Sequence, residues 1–345
     1  MSESKKQQKH FYLRNNDALM NSTKLSMKAK QSILLSKAEN TVDAYESDWD
    51  DFVDWCTQAL RASSPRGGAS GVSARPMLDE QSFFILKTDY AKANTISRRI
   101  SAISENFNAS GQRDNPCMAP IVKQALRGIR RLKGTFQQGK TPVLLEDIED
   151  IIDCMTKLDV PELQLLRDKA ILLIGFMGAF RRSEIAAITV ENLQFSPQGV
   201  EIFVASSKAD QEGQGAVVAI PHLSGSPLDA VRALQQWLRA SGITEGPVFR
   251  GFTKNMSLRK TAISDKMIAE IVKKYISLIG LDPTMYGAHS LRHGFATTAA
   301  AYGVEERNIM RQTRHHSVNM VRRYINEANK FVDNPISTIF EKRFR

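Results

Sequence analysis

The sequence predicts a mainly α-helical protein of two domains, with one small antiparallel sheet in the second domain. A chain of 345 residues is long for one ordinary domain and suits two, each with its own core. Apolar side chains recur at helical spacing along most of the chain, whereas only two short runs are typical of strands. Residues 134–142, GTFQQGKTP, are polar and contain two glycines, which is typical of a linker between domains.

Residues 1–30 are predicted to form a flexible basic tail and residues 31–133 a helical domain. The lysine-rich tail either contacts phosphates or is simply solvated. Asn40 is a good N-cap, and the apolar positions after it indicate a helix with one face in a core. The residues of that face are Val42, Tyr45, Trp49, Phe52, Val53 and Cys56. The Ser-, Gly- and Pro-rich stretch 63–76 predicts a loop.

Positive charge is concentrated at the end of this first domain. Residues 94–107 carry an apolar face, with Arg98 and Arg99 directed away from it. Residues 117–133 carry a second apolar face, made of Ile121, Val122, Ala125, Leu126, Ile129 and Leu132. This segment has no acidic residue, and its cations are Lys123, Arg127, Arg130, Arg131 and Lys133. Because a solvated face normally mixes both signs, these cations, with Arg98 and Arg99, predict phosphate contacts, as does the net charge of +10.

Residues 143–345 are predicted to form the second domain, which is mostly helical. Helical periods cover residues 145–158, 163–180, 227–241, 264–279, 290–302 and 317–327. Between them, Val200–Val204 and Ala216–Ile220 predict a two-stranded hairpin. The longest apolar run, Ala170–Phe180, is too short to cross a bilayer and predicts a buried helix. Three cysteines without metal-ligand spacing suit a reducing cytoplasm, and no membrane partner is expected.

Two motifs near the start of the second domain carry reactive side chains. Arg181 and Glu184 are three residues apart in RRSEI, so the carboxylate can orient the guanidinium. Such a pair is common and usually structural, and the adjacent Arg182 leaves open which arginine is functional. Lys208 lies at the tip of the predicted hairpin, where a lysine is ordinarily just solvated.

Two further motifs lie near the end of the chain. His289 and Arg292 stand at the start of a predicted helix in the sequence HSLRH. His315 precedes Tyr324 by nine residues, and the adjacent His316 lies one residue too close for the same spacing. A tyrosine in an amphipathic helix is usually a packing residue, so its meaning depends on the other motifs.

In this order the motifs resemble those of the tyrosine recombinases, or integrases, whose pattern runs Arg…Lys…His-x-x-Arg…His…Tyr. The sequences AFRRSEI, HSLRH and the RRY that ends at Tyr324 carry the resemblance, which covers residues 143–345. Length and two-domain layout are most similar to the Cre-like branch from phages and plasmids, although His315 stands where Cre has tryptophan. The resemblance implies a helical core-binding domain that clamps DNA and a mixed α/β, mostly helical catalytic domain.

The resemblance also implies a role for each residue of the motifs. Arg181 and Arg292 would clamp the two non-bridging oxygens of a phosphodiester, because forked donors suit phosphate geometry. Tyr324 would attack phosphorus and become joined to the 3′ end. Lys208 would protonate the leaving 5′ oxygen, and His289 would assist proton transfer at Tyr324. His315 would form a hydrogen bond to the phosphate, and Glu184 would hold the site together.

For the whole protein, the resemblance implies site-specific recombination of double-stranded DNA through a Holliday junction. Four copies would assemble on two target sites, each an inverted repeat, without a metal or other cofactor. Such an enzyme would work in the cytoplasm, at the nucleoid, and come from a phage, plasmid or bacterium.

Three alternatives compete with this interpretation. His289 and His293 have the i, i+4 spacing of a zinc site, but HSLRH lacks the glutamate of HExxH and Arg292 would repel a cation. A type IB topoisomerase uses a similar set of residues to relax supercoils. A DNA-binding architectural protein whose catalytic residues have decayed would not need the complete set found here.

The last residues predict a short helix with a small apolar face. Asp333 and Pro335 suit its start, and Ile336, Ile339 and Phe340 form the face. A helix so short is unstable alone and must dock. It docks either on its own domain or, as the family resemblance favours, on a neighbouring protomer.

Overall fold

The computed structural model describes residues 39–63, 91–109, 115–134, 139–205, 215–315 and 317–329, together with 336, 339, 340 and 343. The chain divides into two compact units, Met1–Gln138 and Gly139–Arg345, and this division falls inside the segment 134–142. The predicted tail and nearly all of the predicted loop 63–76 lie outside the described residues. Within the described part of the chain, no helix has both the length and the apolar character needed to cross a membrane.

The described part of the first unit consists of three helices and one 3₁₀ turn. The helices are α1 (Glu39–Ser63), α2 (Ala93–Ala109) and α3 (Pro120–Lys133). The 3₁₀ turn, Pro116–Met118, leads into α3, and the Asn115 side chain caps it by accepting a hydrogen bond from the Cys117 N–H at 3.0 Å.

An aromatic cluster joins α1 to α2 in the core of this unit. The rings of Trp49, Phe52 and Phe107 lie 5.5 to 6.0 Å apart, and Ile103, Cys117 and Val122 complete the cluster. Val53 is 42% exposed, so its predicted place in the core is wrong: it lies about 100° around α1 from Phe52. The predicted apolar face of α3 is also too wide, since Val122 is buried whereas Ile121 and Leu132 are 58% and 88% exposed.

The second unit is built mainly from helices. They are α4 (Leu145–Met155), α5 (Glu162–Met177), α6 (Arg182–Ala187), α7 (Ala230–Ser241), α8 (Asp265–Leu278), α9 (His289–Ala301), α10 (Glu306–Thr313) and α11 (Val318–Asn329). The predicted helix 163–180 ends earlier, because Gly178 and Ala179 form a sharp turn in which Ala179 has φ 46°. The short helices α6 and α10 were not predicted.

Two small antiparallel sheets accompany the helices. The first has strands β1 (Leu193–Ser196), β2 (Gly199–Val204) and β3 (Ala216–Pro221) in that order. The predicted hairpin is confirmed, with Val200 opposite Ile220 and Val204 opposite Ala216. The strand β1 and the second sheet, β4 (Arg250–Phe252) with β5 (Leu258–Ala262), were not predicted because their strands are short and contain no buried residue.

Helix α5 lies at the centre of the second unit, as the apolar run predicts. Residues 170–174 are completely buried, and glycines let neighbouring segments approach the centre closely. A Cβ on Gly175 would lie 2.8 Å from the Leu291 side chain of α9 and 2.9 Å from that of Ile185 on α6. A Cβ on Gly294 would collide with the backbone of Val143. Helices α6 and α9, which carry the RRSEI and HSLRH motifs, are therefore packed tightly against α5.

Candidate active site

Arg181 and Glu184 form the first part of the site, at the start of α6. Arg181 is the N-cap residue, and the Glu184 carboxylate accepts its backbone N–H at 2.9 Å. The same carboxylate accepts a hydrogen bond from Arg181 Nη1 at 2.7 Å, so the predicted pairing of the two side chains is present. Arg181 is thus held both by its backbone and by its guanidinium, while 19% of its side chain stays exposed.

Arg314 is a second cation on the same carboxylate, and sequence reasoning missed it. Its Nη2 donates to Glu184 Oε2 at 2.7 Å, and its side chain is only 9% exposed. Burial alone would raise the pKa of the Glu184 carboxyl, but the charge of Arg314 and the hydrogen bonds from Arg181 lower it below its usual value. Glu184 is therefore an anion shared by two guanidinium groups.

Arg292 lies next to this pair and is completely buried on α9. Its Nη1 donates to the carbonyl oxygen of Ala179, in the sharp turn after α5, at 2.8 Å. Its Nε and Nη2 have no hydrogen-bond partner among the described residues. Burial, then the charges of Arg181 and Arg314, lower the pKa of Arg292. Since a guanidinium stays charged in proteins, Arg292 is a buried cation with donors available for an anion.

His289 begins α9 at the exposed rim of the site. Its pKa is lowered, first by partial loss of water around the ring and then by the charges of Arg292 and Arg181. The ring is therefore neutral at neutral pH and can accept a proton.

His315 lies in the connection between α10 and α11 and is 8% exposed. Burial and the charges of Arg292 and Arg181 lower its pKa to about 3, so the ring is neutral. Its Nδ1 lies 2.7 Å from the Thr313 hydroxyl, which itself donates to the Ile309 carbonyl at 2.7 Å. Because the hydroxyl proton is used in that bond, Nδ1 is the donor to Thr313 and Nε2 keeps its lone pair.

Tyr324 is on α11, which packs against α9 and places the phenol beside two histidines. The ring centroid of Tyr324 lies 4.8 Å from that of His293 and 5.7 Å from that of His315. Burial raises the pKa of Tyr324, and the Arg292 charge opposes this only in part. The phenol is therefore protonated at neutral pH, so a nucleophilic role requires a proton acceptor nearby.

The zinc alternative finds no support in the geometry. His293 Nδ1 lies 3.2 Å from the Lys140 carbonyl and Nε2 lies 3.4 Å from Glu327, which connects the ring to α11. Across the residues the structure describes, no three His, Cys, Asp or Glu side chains are grouped to hold a metal ion.

The structure thus brings together Arg181, Glu184, His289, Arg292, His315 and Tyr324 from distant parts of the sequence. Lys208 belongs to the connection between β2 and β3 and lies outside the described residues. His316, next to His315, also lies outside the described residues. Arg182 is directed elsewhere and pairs with Asp265 on α8 at 3.1 Å.

The predicted DNA-contacting residues belong to the first unit. On α3, Lys123, Arg127, Arg130 and Arg131 are exposed, as is Lys133, whose Nζ donates to the Ala91 carbonyl at 2.9 Å. Arg98 and Arg99 also take part in the packing of α2 on α1. The guanidinium of Arg98 makes two hydrogen bonds, of 3.0 and 3.1 Å, to the buried carboxylate of Asp48, and Arg99 lies 3.0 Å from Asp51.

The fold and the site together define a tyrosine recombinase. The model of the phage integrase family matches residues 143–330, more than half of the chain. The chain therefore belongs to the phage integrase family. It is 46% identical over 337 residues to the integrase/recombinase XerD homolog of Selenomonas ruminantium, which covers 96% of this chain and 95% of that protein. It is also 23% identical over 290 residues to the tyrosine recombinase XerC of Thermodesulfovibrio yellowstonii, covering 83% of this chain and 85% of that protein.

Solved structures share the fold at much lower identity. The XerH recombinase bound to palindromic difH substrate, in a post-cleavage complex, matches with a TM-score of 0.60 and 15% identity over 95% of this chain and 89% of that chain. The Tn1549 transposon integrase bound to transposon right end DNA matches with a TM-score of 0.54 and 15% identity, over 90% of this chain and 92% of that chain. These relatives carry Xer and integrase names, and the narrower likeness to the Cre-like branch stays a prediction.

Proposed function

We propose that this chain is a site-specific DNA recombinase that cuts and rejoins strands through a phosphotyrosine formed at Tyr324. The observation that carries the proposal is Arg292, which is fully buried beside Arg181 and has two donor nitrogens without a partner in the part of the chain that the structure describes. A buried cation with unused donors is costly unless an anion binds it. A phosphodiester fits, because two forked guanidinium groups can hold its two non-bridging oxygens.

The covalent step follows from placing a phosphodiester between these arginines and Tyr324. The Tyr324 oxygen forms a bond to phosphorus while the bond to the 5′ oxygen breaks, so the strand keeps a 3′-phosphotyrosine and a free 5′ hydroxyl. Negative charge that grows on the non-bridging oxygens is stabilised by Arg181 and Arg292. Attack by a 5′ hydroxyl from another duplex reverses the step and exchanges the strands.

Proton transfer at Tyr324 fits the two neutral histidines of the site. The phenol must lose its proton as it attacks, and His289, with its lowered pKa, is the proposed acceptor. His315 donates from Nδ1 to Thr313 and so becomes a donor to phosphate only after Nε2 takes up a proton. The charge of a bound phosphate favours that protonation. Lys208 is the proposed acid for the leaving 5′ oxygen.

DNA binding is proposed to use the cations of α3. Lys123, Arg127, Arg130 and Arg131 are exposed on a helix without acidic residues, which suits contact with a phosphate backbone. Arg98 and Arg99 belong to the same proposal, with pairing to acidic residues of α1 as a further role.

The proposed assembly is four copies on two DNA sites, each an inverted repeat, with a Holliday junction between the two strand exchanges. The terminal helix residues Ile336, Ile339 and Phe340 are 55 to 63% exposed, which suits the proposed contact with a neighbouring protomer. A DNA substrate of this kind places the work of the enzyme at the nucleoid, in the cytoplasm.

The test is covalent capture on DNA that flanks the coding region of this protein. The native chain and Tyr324→Phe are incubated with this DNA, quenched with denaturant, and assayed for DNA that stays attached to protein. We expect adducts with the native chain and none with Tyr324→Phe, because only the phenol oxygen can form the bond. Adducts with both proteins would assign the nucleophile to another residue. Relaxation of supercoils without the joining of strands from different duplexes would favour the topoisomerase alternative.

A further inference from the structure

Arg314 is a buried cation that none of the sequence motifs includes. It ends α10 in the left-handed conformation, with φ 55° and ψ 44°. Glycine is the usual residue at such a position, because a side chain there strains the backbone. A strained arginine that is nearly buried is unusual enough to need an explanation from its contacts.

Its contacts tie together the two segments that hold the phosphate-binding arginines. The guanidinium of Arg314 pairs with Glu184 at 2.7 Å and donates to the carbonyls of Gly178 at 3.1 Å and Ala179 at 3.3 Å. It also lies over the ring of Phe180, with 4.9 Å to the centroid. Arg314 therefore bridges the turn after α5 and the first turn of α6.

Glu184 and the Ala179 carbonyl, which both accept hydrogen bonds from Arg314, each also accept one from an arginine assigned to the phosphate. Glu184 also holds Arg181, through Nη1 at 2.7 Å, and the Ala179 carbonyl also holds Arg292, at 2.8 Å. Ala179 itself has a positive φ of 46°, so its carbonyl is aimed by an unusual backbone. The Arg314 side chain is thus hydrogen-bonded both to Glu184, which holds Arg181, and to the Ala179 carbonyl, which holds Arg292.

We propose that Arg314 is a positioning residue of the recombination site, which fixes Glu184 and the Ala179 carbonyl so that Arg181 and Arg292 are oriented before DNA binds. This inference rests on the proposed function, since it assigns Arg181 and Arg292 to the scissile phosphate. We assign Arg314 to positioning and not to the phosphate, because its Nη1 and Nη2 donate to Glu184 and to the carbonyls of Gly178, Ala179 and Gln312. Its Nε is buried and has no hydrogen-bond partner among the described residues. Its charge adds a further benefit, since one carboxylate shared by two guanidinium groups leaves the site positive for a phosphate.

The first test is the variant Arg314→Gly, which keeps the turn because glycine adopts this backbone without strain. We expect unchanged affinity for the captured DNA site and a single-turnover rate of adduct formation that falls by roughly 10²-fold, the effect of a small misplacement of reacting groups. Arg314→Lys retains the charge without the fork and should recover only part of the rate. Met256→Gly is the matched control, since Met256 also has a positive φ, 59°, in the turn before β5, and should cleave like the native chain.

The pH profile separates positioning from a merely structural role. The charge of Arg314 is the first of the effects that hold the pKa of Glu184 down against burial. Without the charge of Arg314 the pKa of Glu184 rises, so Glu184 takes up a proton at a higher pH. As the solution is acidified, the rate of adduct formation by Arg314→Gly should therefore fall at a higher pH than the rate of the native chain. An Arg314→Gly variant with the native rate and the native acid limb would overturn the proposal.

A measurement without DNA separates this inference from the proposed function. Free energies of unfolding of Arg314→Gly, Glu184→Gln and the double variant form a thermodynamic cycle. Non-additive effects are expected if Arg314 holds Glu184, and additive effects would overturn the proposal. Failure of the native chain to form any adduct would reject the proposed function, and the cycle would still decide whether Arg314 organises the cluster.

Discussion

Two cationic regions of this molecule are built in opposite ways. The arginines of the candidate active site are fixed by partners and largely removed from solvent. Arg292 is fully buried, Glu184 holds Arg181, and Glu184 together with backbone carbonyls holds Arg314. The cations of α3 are exposed along a helix without acidic residues. A buried, pre-oriented guanidinium suits one phosphate in one geometry, whereas exposed cations suit many phosphates and respond to salt. Under the proposed function, the buried arginines would serve the chemistry and the exposed cations of α3 would serve DNA affinity.

The largest expected effect comes from removing Arg292. Arg292→Met deletes the buried donors of the site, and we expect adduct formation to fall by roughly 10²–10³-fold, as for loss of one donor to a transition-state oxyanion. Thermal unfolding should occur at the native temperature or above it, because an apolar side chain replaces a buried charge with unused donors. Single-turnover adduct assays and thermal melts check both results, and a native cleavage rate would remove Arg292 from the chemistry.

A smaller effect is expected from the pH dependence of His315 in the same buried region. In the unfolded chain this histidine takes up a proton near pH ~6.5, whereas in the folded protein its pKa is lowered to about 3. The unfolded state therefore binds more protons between these values, and the free energy of unfolding falls as the pH drops through that window. This one group contributes at most about 1.4 kcal/mol per pH unit to the change in the free energy of unfolding.

Denaturant titrations of the native chain and His315→Gln between pH 7 and pH ~5 measure this slope. The variant lacks the titrating ring and should lose less stability on acidification. Equal slopes for the two proteins would show that His315 is not held neutral by the fold.

The smallest expected effect comes from one exposed cation of α3. Arg127→Gln should weaken DNA binding a few-fold at moderate salt and reduce the slope of log K against log salt by about 0.9, the value for one lost phosphate contact. The rate of adduct formation at saturating DNA should not change. Arg307→Gln is the matched control, since Arg307 is exposed but already pairs with Glu305 at 2.7 Å. An unchanged slope for Arg127→Gln would exclude that residue from the DNA interface.

Sequence reasoning named most of the residues that the structure brings together, because these residues stand in local patterns. The spacing of Arg181 and Glu184 and the HSLRH motif are visible along the chain, and the structure shows the pairing that this spacing predicts. Arg314 could not be found in this way. Its role depends on α10 ending beside α6 and on a positive φ, and neither leaves a local pattern.

The same limit explains the elements that were missed. Helix α10 has few apolar residues, with Ile309 fully packed and Met310 partly so, and therefore shows little periodicity. Strands β1, β4 and β5 are short and contain no buried residue, so burial does not impose an alternating pattern on them. The buried helix α5 was predicted because its second half, residues 170–177, is apolar all round, as expected for a helix at the centre of a domain.

The central claim, a covalent bond between Tyr324 and DNA, is tested most directly by mapping that bond. The captured adduct is digested with nuclease and protease, and mass spectrometry identifies the residue that carries the nucleotide phosphate. We expect a nucleotide linked through a 3′-phosphate to the peptide containing Tyr324. A nucleotide on any other residue would contradict it.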